Sequence, residues 1–269
     1  MKLSDFTDKI LLGGDLNDKL FFPKEIQFDD VLGQKIEIPQ RYGKIKFSVK
    51  QARFPKGNFH ETKRTVMALH AFANHELLAV EIMAHALSIF PHNTDEEKRF
   101  KRGILSALKD EQKHFKLYAN RIKQLGYEFG DFPLNDFFWK HMKDMNSPQE
   151  YLSMMAMTFE AANLDFSFQY EKIFRDLGDV VTADIMKIVY EDEISHVGFG
   201  VNYLNKWKED KTLWEYYRIC LPFPLTPARA RGKSFDENSR IRAKMDNDFI
   251  SNLLNYKDDY KVTARKEWK

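Results

Sequence analysis

The spacing of hydrophobic and polar positions changes character once along the chain, near residue 60. Before that point, short alternating runs such as Lys35-Ile36-Glu37-Ile38 and Lys44-Ile45-Lys46-Phe47-Ser48-Val49, separated by turn residues, predict extended segments. After it the apolar residues recur at helical spacing. A first helix is expected from about 60 to 90, stopping at Phe90-Pro91 because the residue before a proline avoids the helical region. A second opens at Thr94-Asp95-Glu96-Glu97, where Thr94 and Glu97 make a capping box, and closes at Gly126. A third opens at Ser147-Pro148-Gln149-Glu150 and ends at Gly178, and a fourth covers roughly 180 to 207. Beyond 210 come an aromatic stretch with Trp214, Tyr216 and Tyr217, a proline-rich turn over 221–227, and an amphipathic helix from Ser234, capped by Ser234 and Glu237.

Each of the four long helices spans about 26–32 residues, roughly 40–48 Å at 1.5 Å per residue. Their short connections make each consecutive pair antiparallel. The longer link between the second and third is the single crossover of a ferritin-like topology. The expected architecture is all-α: a ferritin-like four-helix bundle with a di-metal core over 59–210. An irregular or short-strand N-terminal arm over 1–58 precedes it, and a C-terminal extension with one helix over 211–269 follows.

Within this pattern certain acidic groups fall on apolar faces. At 100° per residue, Glu76 shares a stripe with Leu69, Phe72, Ala73, Val80, Met83 and Leu87, whereas Glu81 lies about 140° away beside His85 and Ser88. Glu111 and His114 fall among Ile104, Leu108, Phe115 and Tyr118; Glu193 and His196 fall among Met186, Val189, Val197 and Gly200. Glu160 shares its face with Ala156, Met157 and Leu164, but also with Asn163 and Ser167. The pairs belong to two DExxH pentads, Asp110–His114 and Asp192–His196, and residues three apart on a helix reach one ion together. Glu76 precedes Glu111 by 35 residues and Glu160 precedes Glu193 by 33, so the ligand pattern repeats. Four buried carboxylates are costly unless cations hold them. Two divalent ions with oxygen and imidazole ligands suit iron, manganese or zinc, iron being the first choice. Asp110 and Asp192 either orient the histidines crosswise, Asp192 on His114 and Asp110 on His196, or are solvent-facing helix residues. Tyr118 and Tyr190 stand near the ligands, and their ordinary role is packing with a bonded hydroxyl.

The four-glutamate, two-histidine pattern resembles the ferritin-like di-iron superfamily of ferritins, rubrerythrins, ribonucleotide reductase small subunits and bacterial multicomponent monooxygenases. From about 60 to 206 the chain is more closely similar to an uncharacterised bacterial family of ferritin-like proteins known only as a domain of unknown function. The matching stretches include Asn74-His75-Glu76-Leu77-Leu78-Ala79, Gly126-Tyr127-Glu128-Phe129-Gly130-Asp131-Phe132-Pro133, Phe159-Glu160-Ala161-Ala162-Asn163-Leu164-Asp165 and both DExxH pentads. All six metal positions match. His75 stands where an aliphatic residue is expected. The resemblance implies a fold and a metal site but no reaction.

Composition narrows the function classes. Forty-two Lys and Arg against forty Asp and Glu leave no overall charge that announces nucleic acid or membrane. The basic residues between Arg229 and Lys244 are interleaved with acids, so a solvated face is expected there and nucleic acid is not. Cys220 is the single cysteine, which rules out an intrachain disulfide, a thiolate cluster and a rubredoxin-type electron-transfer domain. No apolar run matches a signal peptide or a membrane span, so a cytoplasmic location is expected. The leading expectation is an O2-dependent di-iron or iron–manganese oxidase or oxygenase, with O2 as co-substrate, a small-molecule substrate and an external electron donor. Iron handling or peroxide detoxification comes second, and a tRNA-modifying hydroxylase or RNA-binding helical protein third. A homodimer is compatible with all three.

Overall fold

A computed structural model of the chain describes residues 1–49 and 54–263; residues 50–53 of the arm and 264–269 of the C-terminal extension lie outside the described residues. The fold is all-helical, with no strand among the described residues. It consists of two compact units, Met1–Asp144 and Met145–Lys269. The division falls in the connection between the second and third long helices.

The first unit is built on α3 (Thr62–Ile89) and α4 (Asp95–Gln124), joined by five residues and therefore antiparallel. Their ends follow the expected chemistry. Phe90 leaves the helical region before Pro91. Thr94 Oγ1 accepts the Glu97 N–H while Glu97 Oε2 accepts the Thr94 N–H. Gly126 takes φ +84° beyond the end of α4, a conformation open to glycine without Cβ strain. A short helix, α5 (Phe137–Met142), also packs on α3.

The arm differs from expectation. Instead of short strands it supplies two helices, α1 (Leu3–Leu12) and α2 (Leu16–Lys19). Leu3, Phe6 and Ile10 recur at spacings of three and four and are buried together with Leu11, and α1 packs on α3. The alternating segments form no ladder among the described residues: Glu37 and Ile38 lie in a bend, Gly43–Ile45 is a 3₁₀ turn, and Phe47 makes an isolated bridge to Leu134. Ile36 and Ile38, chosen by alternation, are not in the core, and Ile38 is half exposed.

In the second unit the third long helix is one continuous helical run, but not all of it is α. α6 (Pro148–Met154) passes into a π segment, Met155–Glu160, and then α7 (Ala161–Asp176). Ser147 caps its start through the Glu150 N–H, with Pro148 at the first position. Gly178 at φ +78° follows its end. α8 (Val180–Trp207) packs along α7. The C-terminal region holds several short helices rather than one: α9 (Leu213–Cys220), α10 (Glu237–Arg242), α11 (Asn247–Asn255) and α12 (Tyr260–Thr263). The Ser234–Glu237 capping box does not form, because α10 begins only at Glu237. Asp236 occupies the cap position, but its carboxylate accepts the Tyr190 hydroxyl instead of a helix N–H.

Candidate metal centre

The long helices of the first unit place Glu76 on α3 opposite Glu111 and His114 on α4. All three side chains are shut off from solvent, at 4%, 1% and 0% exposure. His114 Nδ1 lies 3.8 Å from Glu76 Oε2 and 3.7 Å from Glu111 Oε2. Two donors bound to one ion at about 2.1 Å can be no more than about 4.2 Å apart, so these separations fit a shared cation. Burial above all, then the Glu111 carboxylate beside it, holds the Glu76 carboxyl well above the usual carboxylate range, against an opposing pull from His114. A divalent ion relieves that penalty by favouring the ionised acid.

The second unit repeats the arrangement. Glu160, Glu193 and His196 are buried, and each offers a ligand atom within 4.8 Å of the other two. His196 Nδ1 is 3.4 Å from Glu193 Oε2. Glu160 is the last residue of the π segment. A π turn inserts one residue into the i→i−4 ladder and rotates everything after it, and such turns are frequent at functional sites. Here it lies between Pro148–Met154 and α7 and so resets the face of the helix on which Glu160, Asn163 and Ser167 stand. Gly200 on α8 permits the close approach: a Cβ there would stand 2.5 Å from the Cβ of Ala156, inside the π segment. Thr158 fixes the same turn, bonding the Ser153 carbonyl at 2.7 Å and the Tyr217 hydroxyl at 2.8 Å.

Asn163, which follows Glu160 by three residues, donates from Nδ2 to Glu193 Oε1 at 2.7 Å, and its own Oδ1 accepts from Ser167 Oγ at 3.2 Å. The sequence showed Asn163 on the Glu160 face. The i, i+3 spacing shared with each Glu–His pair was the signal that it touches the site.

Of the residues expected around the ligands, Tyr118 is buried against Phe72, with ring centroids 5.8 Å apart. Tyr190 donates its hydroxyl to Asp236 Oδ2 at 2.6 Å, and burial followed by that carboxylate pushes its pKa up to about 12. Asp110 is half-buried and lies 3.6 Å from Lys113; Asp192 is half-buried on α8.

Two charged residues have different roles from those the sequence indicates. Glu81 is fully buried in a polar cluster: Arg41 donates to both its oxygens at 3.0 and 2.7 Å, and Lys19 Nζ is 3.1 Å away. Arg240 is likewise fully buried instead of solvated. It pairs with Asp165, which also accepts the N–H groups of Gly232 and Asp236.

The sequence profile of a family described as a protein of unknown function, DUF455, matches residues 3–251. An uncharacterised protein of Haemophilus influenzae is 28% identical over 158 residues, which is 57% of this chain and 54% of that protein. The chain thus spans about half the length of that curated relative. No solved structure matches the chain.

Proposed function

The chain belongs to the DUF455 family, and from that premise we propose that its two Glu–Glu–His triads hold a pair of divalent metal ions in a ferritin-like protein. The proposed activity is O2-dependent oxidation of a small substrate. The observation that carries this reading is the duplicated triad, two carboxylates and one imidazole buried together in each unit. Buried acids that lie together are tolerable when cations hold them. The donor set fits: carboxylate oxygens and imidazole nitrogens with no thiolate suit iron or manganese. Glu76, Glu111 and His114 are the ligands from the first unit, Glu160, Glu193 and His196 those from the second.

A bound pair of redox-active ions supplies two-electron chemistry with O2. An oxygenase of this kind joins one oxygen atom to a substrate C–H bond and releases the other as water, consuming two electrons and two protons from outside. The chain's own residues prepare the site. Burial keeps water from the ligands, and Asn163 holds Glu193 in one orientation. The single cysteine offers no cluster to store electrons, so the donor is a separate molecule.

Metal analysis of the purified protein tests the reading, followed by anaerobic Fe(II) loading and O2 exposure under an absorption spectrometer. About two ions per chain and a transient absorption band on O2 addition support it. Fewer than one ion per chain, or no change in that content in Glu111→Ala and Glu193→Ala, rejects it. Loading without any response to O2 rejects the oxidase assignment and leaves a metal-binding protein.

A further inference from the structure

The face of α4 turned away from the metal ligands carries a pattern of its own. Arg99, Arg102, Ser106, Lys109, Lys113, Lys116, Asn120 and Lys123 recur at alternating spacings of three and four, and all eight are exposed. Six are cations and none is an acid. The stripe runs about 36 Å, at 1.5 Å per residue. Lys113 lies two residues from Glu111, about 200° round the helix, so the stripe and the ligands occupy opposite sides of one helix roughly 10 Å thick.

We propose that this stripe is the docking surface for an acidic electron-carrier protein, the external donor that the di-metal reading requires. The inference rests on that reading for the purpose of docking, while the surface stands on charge alone. Opposite charges steer a carrier onto the stripe. A strip one helix wide belongs with the small, wet interfaces of transient redox encounters. Nearest the ligands the cations are lysines, Lys109, Lys113 and Lys116, which are compact hydrated charges, and not arginines able to grip phosphates in a bidentate fork. The neighbouring aromatic rings are already engaged: Lys109 Nζ sits 5.7 Å over Phe22, and the Arg102 guanidinium 5.5 Å over Phe28. Neither ring is an open platform for stacking bases. Beside the stripe is a surface pocket of about 390 Å³, walled by three lysines (Lys109, Lys113, Lys116) and one acid (Asp110) with Phe22, Gln112, Leu117 and Asn120, in which a carrier's protruding side chain can seat. Each encounter moves one electron from the carrier, which is oxidised by one unit. Two encounters supply the pair of electrons that O2 consumes alongside the substrate.

The test uses the full chain, a plant-type [2Fe–2S] ferredoxin as the acidic probe, and a single-stranded oligonucleotide as a competing polyanion. Calorimetry and carbodiimide cross-linking report binding, and metal content is measured on the same samples. Ferredoxin is expected to bind with micromolar affinity that falls about tenfold between 50 and 200 mM salt. Binding should fall at least tenfold in the Lys109→Glu, Lys113→Glu, Lys116→Glu triple variant. It should persist in a Lys172→Glu, Lys187→Glu control, whose circular dichroism is compared to exclude misfolding. No ferredoxin binding by metal-loaded protein, or oligonucleotide binding of higher affinity lost in the same triple variant, overturns the inference. Ferredoxin bound through these lysines by protein that takes up no metal supports the surface and overturns the di-metal reading instead.

Discussion

Arg240 closes on Asp165 through two hydrogen bonds, Nη1 to Oδ1 at 2.7 Å and Nη2 to Oδ2 at 3.0 Å, and neither side chain reaches solvent. The first unit holds a counterpart in Arg41 and Glu81. Asp165 follows Glu160 by five residues and Glu81 follows Glu76 by five, so each arginine ties a terminal segment to a helix that carries a proposed ligand, at the same offset. The repeat seen in the proposed ligands therefore extends to the groups that anchor the two terminal segments.

Removing one partner of such a pair strands a charge in a dry interior. Arg240→Met is expected to cost about 3–5 kcal/mol of unfolding free energy, read from urea titration. The Asp165→Leu, Arg240→Met double variant should recover a large part of that loss, because no charge is then left without its partner. A double variant as unstable as the single one shows that the backbone bonds to Ala161, Ala230, Gly232 and Asp236 matter more than the ion pair.

Gly200→Ala inserts a methyl group 2.5 Å from the Ala156 Cβ, and neither group has a flexible end to move aside. The strain falls on the π segment that ends at Glu160. The expected loss is about 1–3 kcal/mol of stability, together with weaker metal binding in the second unit. Gly198→Ala is the control, since its Cβ meets nothing nearer than 3.5 Å. Equal effects from the two substitutions would separate the π turn from any need for closeness at Gly200.

Asn163→Ala removes the donor to Glu193 while leaving every proposed ligand in place. Partners that orient metal ligands are commonly worth 10–100-fold in affinity. Competition with a chromophoric chelator should show a loss of that order for one of two ions, with the helical content unchanged. Affinity equal to that of the parent protein would assign Asn163 a packing role alone.

The long helices were legible because their boundaries are local chemistry: Thr94 with Glu97, Ser147 with Pro148, and the glycines 126 and 178 act within a turn of themselves. The buried Glu–His clusters were legible because Glu111–His114 and Glu193–His196 carry the helical period in the sequence itself. The π turn was not, since MAMTFE reads as ordinary α-helix and its insertion depends on packing between Ala156 and Gly200. The burial of Glu81 and Arg240 was hidden for a related reason. A charged residue on a helix reads as solvated until its partner arrives from a distant segment, here 40 residues away for Arg41 and 75 for Asp165. In the arm, alternation was read in residues that find no partner strand, while the three-and-four spacing of Leu3, Phe6 and Ile10 gave the real element.

His70 sets a pH dependence that does not involve the proposed metal ligands. Its Nε2 accepts the N–H groups of Gly130 at 2.8 Å and Phe132 at 3.4 Å, so the ring must be neutral at that nitrogen to hold the loop. Burial pushes its pKa down to about 4, with Asp131 opposing more weakly. Between that value and the ordinary 6.5 the unfolded chain binds a proton that the folded chain does not, so stability rises with pH across this window. The contribution is complete above about pH 6.5 and is lost as pH falls toward 4, and its full size is on the order of 3 kcal/mol. Urea midpoints of the parent and of His70→Gln, whose amide oxygen can still accept a hydrogen bond, should converge on acidification as the parent loses this term. Glu76 and the other buried acids titrate in both proteins and cancel in the difference. A difference that stays constant from pH 7 to pH 4 would mean that His70 takes up its proton as readily in the folded protein as in the unfolded chain, so that its bonds to the loop N–H groups do not hold it neutral.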